Sequence, residues 1–212
     1  PRTSPSDITT QLRVSPASIP LSSPASVPHT AIDVVSPLNI AEPYSGYDRN
    51  IPISSFLPPL LSEMSIPALI HGVDKVGPKF GITHKNIYKS LNINIDMSVS
   101  EAKTKIENKQ KSWAYIDQKQ YCKNLYKLIP LRNKIIKRTV LNTVETLVSP
   151  IKAEKNHVIL GFVHKPYLEV YKILANRAGF DSSLIIKGIE GGITPSLRQQ
   201  ALVSSYFKKM PA

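Results

Sequence analysis

Residues 157–163, HVILGFV, constrain this chain more than any other stretch. A nearly unbroken apolar, β-branched run without alternation reads as a strand buried on both faces, as in a parallel sheet. Residues 166–178 follow with helical spacing and stop at Gly179, the residue type that most easily takes the left-handed end of a helix. Residues 183–187, SLIIK, then form a second strand. Strand, helix and strand of these lengths make a crossover unit, which joins parallel strands.

The same alternation runs through the preceding residues. Residues 38–41 (LNIA), 66–70 (IPALI) and 113–116 (WAYI) are strand candidates. Residues 54–64 form a helix with Pro58 and Pro59 in its first turn, where a missing N–H costs least. Thr83 opens a helix over 83–91. Ser98 and Glu101 form a capping box at the start of a helix over 98–110. Residues 117–136 are helical but broken near Pro130, and 139–148 form a helix ended by Ser149-Pro150. The expected fold class is α/β, a mainly parallel sheet with flanking helices.

The first 37 residues do not fit this pattern. They hold seven prolines, many Ser and Thr, no Gly, and only Arg2, Asp7, Arg13 and Asp33 as charges, so the whole net charge of +12 falls in residues 38–212. A segment this poor in large apolar groups cannot bury enough surface to offset its chain entropy. It is expected to be an extended Pro/Ser-rich tail laid along partner protein subunits. The chain begins at Pro1 rather than Met, and an acid-poor Ser/Thr/Pro start is the composition of a processed organellar protein. The expected compartment is therefore an organellar stroma or matrix, plastid favoured over cytoplasm.

The sequence excludes several classes. Cys122 is the single cysteine, which rules out a disulfide scaffold and reads as a small buried hydrophobe. No run of about 18 uncharged apolar residues exists, so no membrane span is expected. The five histidines are scattered, the loops carry no paired carboxylates, and no metal or cofactor is expected.

In open α/β sheets ligands sit outside the carboxyl ends of the strands, so loops 42–50, 71–82, 164–166 and 188–195 matter most. Loop 71–82 interleaves Gly72, Gly77 and Gly81 with Lys75 and Lys79, and Lys85 follows in the next helix, together a plausible anion site. Loop 42–50 adds Gly46 and Arg49. The strongest charge feature is KNLYKLIPLRNKIIKR, with Lys123, Lys127, Arg132, Lys134, Lys137 and Arg138 and no acid. It would attract phosphate backbones, with Tyr121 and Tyr126 near for stacking. A solvated helix face or a contact for an acidic partner would have the same composition.

The ordered runs LNIAEPYSGYDRN, IPALIHGVDKVGPKFGITHKNIYKSLNI, LIPLRNKIIKRTVLNTVETLVSPI, HVILGFVHKPYLEVYKIL and LIIKGIEGGITPSL resemble the glycosyltransferase family 3 superfamily, and its anthranilate phosphoribosyltransferase-like branch most closely. Some bacterial members of that branch bind nucleic acid. The resemblance implies a partial domain of this family over residues 38–212, and in the active enzymes a phosphoribosyl pyrophosphate site with Mg²⁺. Their GTGGD pyrophosphate loop corresponds to the segment around Gly46, from Tyr44 to Arg49. Their KHGN motif corresponds to residues 70–73, retaining His71 and Gly72, and their serine-rich loop to residues 76–83, where Pro78 and Phe80 remove donors. Their RTxFNxLGPLxNP helix is best kept, at Arg138, Thr139 and Asn142, with Arg132 upstream. Their acidic pair for Mg²⁺ has no counterpart beside Gly188, Glu190 and Gly191.

Against this family the chain is expected to be truncated, without the small helical domain ahead of the sheet and the strands and helices that follow the last glycine loop. Without metal neutralisation a pyrophosphate leaving group loses several kcal/mol of transition-state stabilisation. The expectation is a non-catalytic domain serving as an accessory or scaffold subunit. The alternatives are a nucleic-acid binder using the basic residues and a working phosphoribosyltransferase.

Overall fold

The computed structural model describes residues 31–32, 36–108, 110–198 and 200–207. The expected tail over residues 1–37 therefore lies outside the described residues except at 31, 32, 36 and 37. In chain order the strands are β1 (Ala31–Ile32), β2 (Leu38–Ala41), β3 (Ala68–Gly72), β4 (Trp113–Asp117), β5 (Lys152–Ala153), β6 (His157–Phe162), β7 (Ser182–Lys187) and β8 (Val203–Phe207). The helices are α1 (Leu57–Glu63), α2 (His84–Ser90), α3 (Val99–Glu107), α4 (Gln118–Tyr121), α5 (Lys123–Tyr126), α6 (Ile129–Lys134), α7 (Leu141–Val144) and α8 (Tyr167–Arg177).

Six strands form one sheet in the order β4-β3-β2-β6-β7-β8, parallel throughout except for β8, which runs antiparallel to β7. β1 and β5 make a separate parallel pair. The register sets Ala114, Leu69, Asn39 and Val158 side by side on one face. There Ala102 and Ile106 of α3 pack on Leu69, Ala114 and Ile116, and Ala175 of α8 packs with Leu160, Phe162 and Ile185. On the other face Ile40, Ile70 and Tyr115 meet Leu57 and Leu61 of α1 and Tyr88 of α2. Helices on both faces remove water from a parallel sheet that could not tolerate it. The fold is α/β, as the strand and helix spacing indicates.

Local chemistry places these elements. Thr83 accepts the Asn86 N–H at 3.4 Å while Asn86 accepts the Thr83 N–H at 3.0 Å. Ser98 and Glu101 close the same kind of box on α3, with the Ser98 N–H donating to the Glu101 carboxylate at 2.7 Å. Pro58 lies in the first turn of α1, and Gly179 ends α8 at φ +91. Cys122 is buried among apolar side chains of the α3 face.

Two stretches depart from the periodicity. The helix expected over 117–136 is three short ones, because the Asp117 carboxylate caps α4 and Cys122 leaves helical geometry between α4 and α5. The helix expected over 139–148 is reduced to α7 and one 3-10 turn, Glu145–Leu147. Among the described residues no helix is long and apolar enough to cross a membrane.

Candidate functional site

The neighbours of β2 are β3 on one side and β6 on the other, so successive crossovers wind outwards in opposite directions from this point. An open α/β sheet has its ligand crevice at such a switch point, beyond the carboxyl ends of the strands. Here the crevice is occupied by the chain itself.

Tyr44 lies in the loop after β2, His71 at the end of β3 and Tyr121 at the end of α4. The Tyr44 hydroxyl is hydrogen-bonded to His71 Nδ1 and to the Tyr121 hydroxyl, and the Tyr121 hydroxyl lies 3.2 Å from the same nitrogen. All three side chains are buried. Burial, with His84 nearby, pushes the His71 imidazole down to about 3, so the ring is neutral. Burial holds both phenols well above their ordinary value. Tyr121, expected as a stacking platform, is thus inside the protein, and only Tyr126 of that pair is exposed. The physical reason is that α4, capped by Asp117, starts directly after β4 and turns Tyr121 onto His71 instead of outwards.

Beside this cluster the buried Glu42 accepts the Tyr47 hydroxyl at 2.5 Å and lies 3.9 Å from His84 Nε2. Burial pushes its carboxyl up, but His84 and Tyr47 outweigh this and leave it below its ordinary value. Ser55 Oγ fixes the other nitrogen of His84 at 2.7 Å. The glycine loop after β7 closes over this group. A Cβ on Gly192 would overlap the Tyr47 hydroxyl and the Glu42 carboxylate, and one on Gly161 of β6 would overlap the backbone of Gly192. The loops after β2 and β3 are also knitted together, Tyr47 and Ile82 exchanging two backbone hydrogen bonds at 2.9 Å and Gly81 donating to Ser45 at 3.0 Å. Outside this plug a pocket of about 530 Å³ is lined by Tyr47, Asp48, Lys75, Phe80, Ile82 and Asn86.

The rim of the crevice carries Glu190. Its carboxylate accepts the backbone N–H groups of Asp48 and Arg49, each at 3.0 Å, the Asn50 amide at 3.2 Å and the Lys79 ammonium at 2.6 Å. Glu190 itself stands at φ +55, next to Gly191 at +91. Partial burial pushes its carboxyl up, but Lys79 and the two backbone donors dominate and hold it down at about 2.

The remaining expected site residues divide in two. Lys79 is bound to Glu190, Lys85 pairs with the Asp117 carboxylate at 2.7 Å, and Arg132 forms a bidentate pair with Glu145 at 2.5 and 3.0 Å. Lys75, Lys123, Lys127, Lys134, Lys137 and Arg138, with Arg49, are exposed. Gly46 sits at φ +72 against Gly81, and the Gly77 N–H donates to Asn133, tying its loop to α6. The Thr139 N–H donates to Asn142, and the Gly188 N–H to Phe162 of β6. Gly72 faces the Tyr115 hydroxyl.

Four partners in this site, Glu42, Asp117, Glu145 and His84, carry no motif signal. For Asp117 and Glu145 the one clue was an acid close in sequence to the basic stretch. Among the described residues no group of three or more His, Cys, Asp or Glu is placed to hold a metal ion. Three carboxylates near the crevice are engaged as well: Glu42 by Tyr47, Asp74 by Asn86 and Glu190 by Lys79. This donor set does not fit the Mg²⁺ of a phosphoribosyl pyrophosphate site.

Fold and crevice define the class, an open, mainly parallel α/β sheet with its loops gathered at the topological switch point. Sequence comparison narrows it: the chain is distantly homologous to anthranilate phosphoribosyltransferase. It is 28% identical to that enzyme from Pelagibacter ubique over 142 residues, 67% of this chain and 41% of the relative. Against the enzyme from Methanococcus vannielii it is 32% identical over 120 residues, 56% of this chain and 35% of the relative. An uncharacterized protein of Aquifex aeolicus matches at 32% over 171 residues, 81% of this chain and 50% of the relative. The chain thus spans half or less of the length of these relatives. No family model matches it.

Proposed function

We propose that this chain is a phosphoribosyltransferase-like domain without transfer chemistry, serving as an accessory or scaffold subunit of a larger protein assembly. The observation that carries the reading is the plugged crevice. Tyr44, Tyr121 and neutral His71 meet at the switch point in buried hydrogen bonds around His71 Nδ1, and a phosphate donor would have to displace them. Stripping partners from such groups costs about 1–3 kcal/mol for each one left buried. The Pro/Ser/Thr-rich start of the chain favours an organellar setting for the assembly, plastid stroma first.

The test is calorimetric titration of phosphoribosyl pyrophosphate with Mg²⁺ into the native chain, paired with size-exclusion of the chain from source extract. Absence of heat together with co-migration with a fixed, nuclease-insensitive set of proteins is the expected result. Saturable Mg²⁺-dependent binding would overturn the non-catalytic reading in favour of a phosphoribosyltransferase.

A second reading, nucleic-acid binding, has its own observation. Lys123, Lys127, Lys134, Lys137 and Arg138 are exposed on a stretch whose acid-free sequence offers them no local counter-charge. Charge reversal at Lys134, Lys137 and Arg138 should then abolish binding to a duplex oligonucleotide, and unchanged binding would remove the reading.

A further inference from the structure

The sheet ends at β8 with its outer edge bare. Every other strand of the sheet has buried residues, and β4 at the opposite edge is buried from Ala114 to Asp117, whereas no residue of β8 is buried. Val203 is 49% exposed and Phe207 73%. Among the described residues no strand pairs with the outer side of β8. An open row of main-chain donors and acceptors is a template for another strand, and proteins that keep such an edge to themselves place a charge, a proline or a bulge in it. Residues 199–207, QQALVSSYF, hold no charge, no Pro and no Gly, in a chain of net charge +12.

Hydrogen bonding fixes which groups face outwards. The Lys187 N–H donates to the Leu202 carbonyl at 2.8 Å, continuing the antiparallel register that pairs Ile186 with Val203. Main-chain direction alternates along a strand, so Leu202, Ser204 and Tyr206 turn their groups to β7, while Val203, Ser205 and Phe207 turn theirs to the open edge. The same three residues share one face of the sheet, in line with Ile186, Leu184 and Ser182 of β7.

We infer that β8 is a self-association edge, on which the β8 of a second copy of this chain pairs antiparallel about a two-fold axis at Ser205. Two six-stranded sheets then become one continuous sheet. In this register Val203 stands opposite Phe207 of the second copy, Ser205 opposite its own equivalent, and Phe207 opposite Val203. All three outward-turned residues form hydrogen-bonded pairs, and Ser204 and Tyr206 form the pairs between them. Placing Ser204 opposite Ser205 instead would set outward-turned groups against inward-turned ones.

The self-match of VSSYF selects a second copy as the occupant: from either end it reads apolar, three hydroxyls, apolar. A β-branched residue facing an aromatic one is a favourable cross-strand pair, and here it covers the two most exposed side chains of the strand. Two strongly cationic chains repel each other, and the uncharged run lets their main chains meet without setting cation against cation. Because both copies use the same patch, the contact closes as a dimer instead of growing.

The experiment is sedimentation equilibrium of the full chain over a range of concentrations, for the native protein, Ser205→Pro and Phe207→Lys. Ser205→Pro removes one outward N–H and leaves the hydrogen bonds to β7, and Phe207→Lys alters a side chain that is already exposed. Circular dichroism confirms that each variant is folded. Mild oxidation of Ser205→Cys and, separately, of Ser204→Cys reads the register. The two copies of residue 205 would have Cα atoms about 5.5 Å apart, within disulfide reach, whereas residue 204 lies diagonal to its equivalent at about 7–8 Å.

The expected result is a native dimer whose dissociation constant rises at least about tenfold in both folded variants, with a cross-linked dimer from Ser205→Cys and none from Ser204→Cys. A native chain that stays monomeric at every concentration would overturn the inference, even if a different protein then takes the edge. A dimer that both folded variants leave unchanged, or that cross-links equally well through 204 and 205, would overturn it too. Neither the pairing nor its test involves the crevice, so the outcome is separate from that of the function proposed above.

Discussion

His71 shows how one neutral ring sets a pH response. Burial lowers its folded pKa from the ordinary 6.5 to about 3. The unfolded chain therefore takes up a proton below pH 6.5 that the folded chain refuses until about pH 3. Stability from this group is complete above pH 6.5 and declines as pH falls towards 3, by up to about 1.4 kcal/mol per pH unit. Urea unfolding of the native chain and of His71→Asn across pH 7 to 4 should show the difference between them shrinking as pH falls. A constant difference would mean that His71 takes up its proton in the fold at the same pH as in the unfolded chain. The side chain stood out in sequence as part of the segment IHGV, but its role did not. Tyr44 and Tyr121, the two groups that hold Nδ1, lie 27 and 50 residues away and meet it only through the sheet.

At the level of elements, the pair between Arg132 of α6 and Glu145 in the 3-10 turn after α7 ties together two stretches whose helices are shorter than the periodicity indicates. Both side chains are buried, so removing one partner leaves an uncompensated charge and costs about 3–5 kcal/mol, whereas replacing both with apolar groups is often neutral. Arg132→Met alone should therefore destabilise strongly, and adding Glu145→Leu should restore most of the loss, as read from urea midpoints. If the second substitution restores nothing, the pair is not what joins α6 to the turn. Burial, only partly offset by Arg132, pushes the Glu145 carboxyl up to about 7. Its folded pKa lies above its unfolded value, so the stability it contributes declines as pH rises from about 4.5 to 7. Glu145→Gln should flatten that decline in thermal melts.

Strands β2, β3, β4, β6 and β7 were legible because buried parallel strands leave uninterrupted apolar runs, and α2, α3 and α8 because capping boxes or a terminal Gly mark their ends. β8, reading VSSYF, was not. Exposed Val203 and Phe207 alternate with half-buried residues on an edge strand, and two serines dilute its apolar pattern.

Across the whole molecule, the fate of the cations illustrates what composition conceals. The sequence places the net charge of +12 in the folded part but not its distribution between internal pairs and free surface. Lys79, Lys85 and Arg132 bind carboxylates of the chain itself: Asp117 and Glu145 flank the basic stretch in sequence, and Glu190 is brought to Lys79 by the fold. Of the cations left on the surface, five cluster in sequence from Lys123 to Arg138. If each neutralises one phosphate of duplex DNA, the logarithm of the association constant should fall against the logarithm of salt with a slope of about −4 to −5. Fluorescence anisotropy at several ionic strengths measures this, and a slope near zero would exclude phosphate contacts by this surface.

The reversal of β8 has a practical geometric consequence. β7 runs towards the crevice and β8 runs back, so that Phe207 pairs with Ser182 at the start of β7. Ser182 to Lys187 spans five residue steps, so Phe207 and Lys187 are separated by about 17 Å along the sheet. A fluorophore or tether introduced at Phe207 would sit at the pole opposite Glu190. The chain could be immobilised there with its crevice facing solution, and a donor-acceptor pair spanning the two poles would act as a ruler for any movement of the glycine loop.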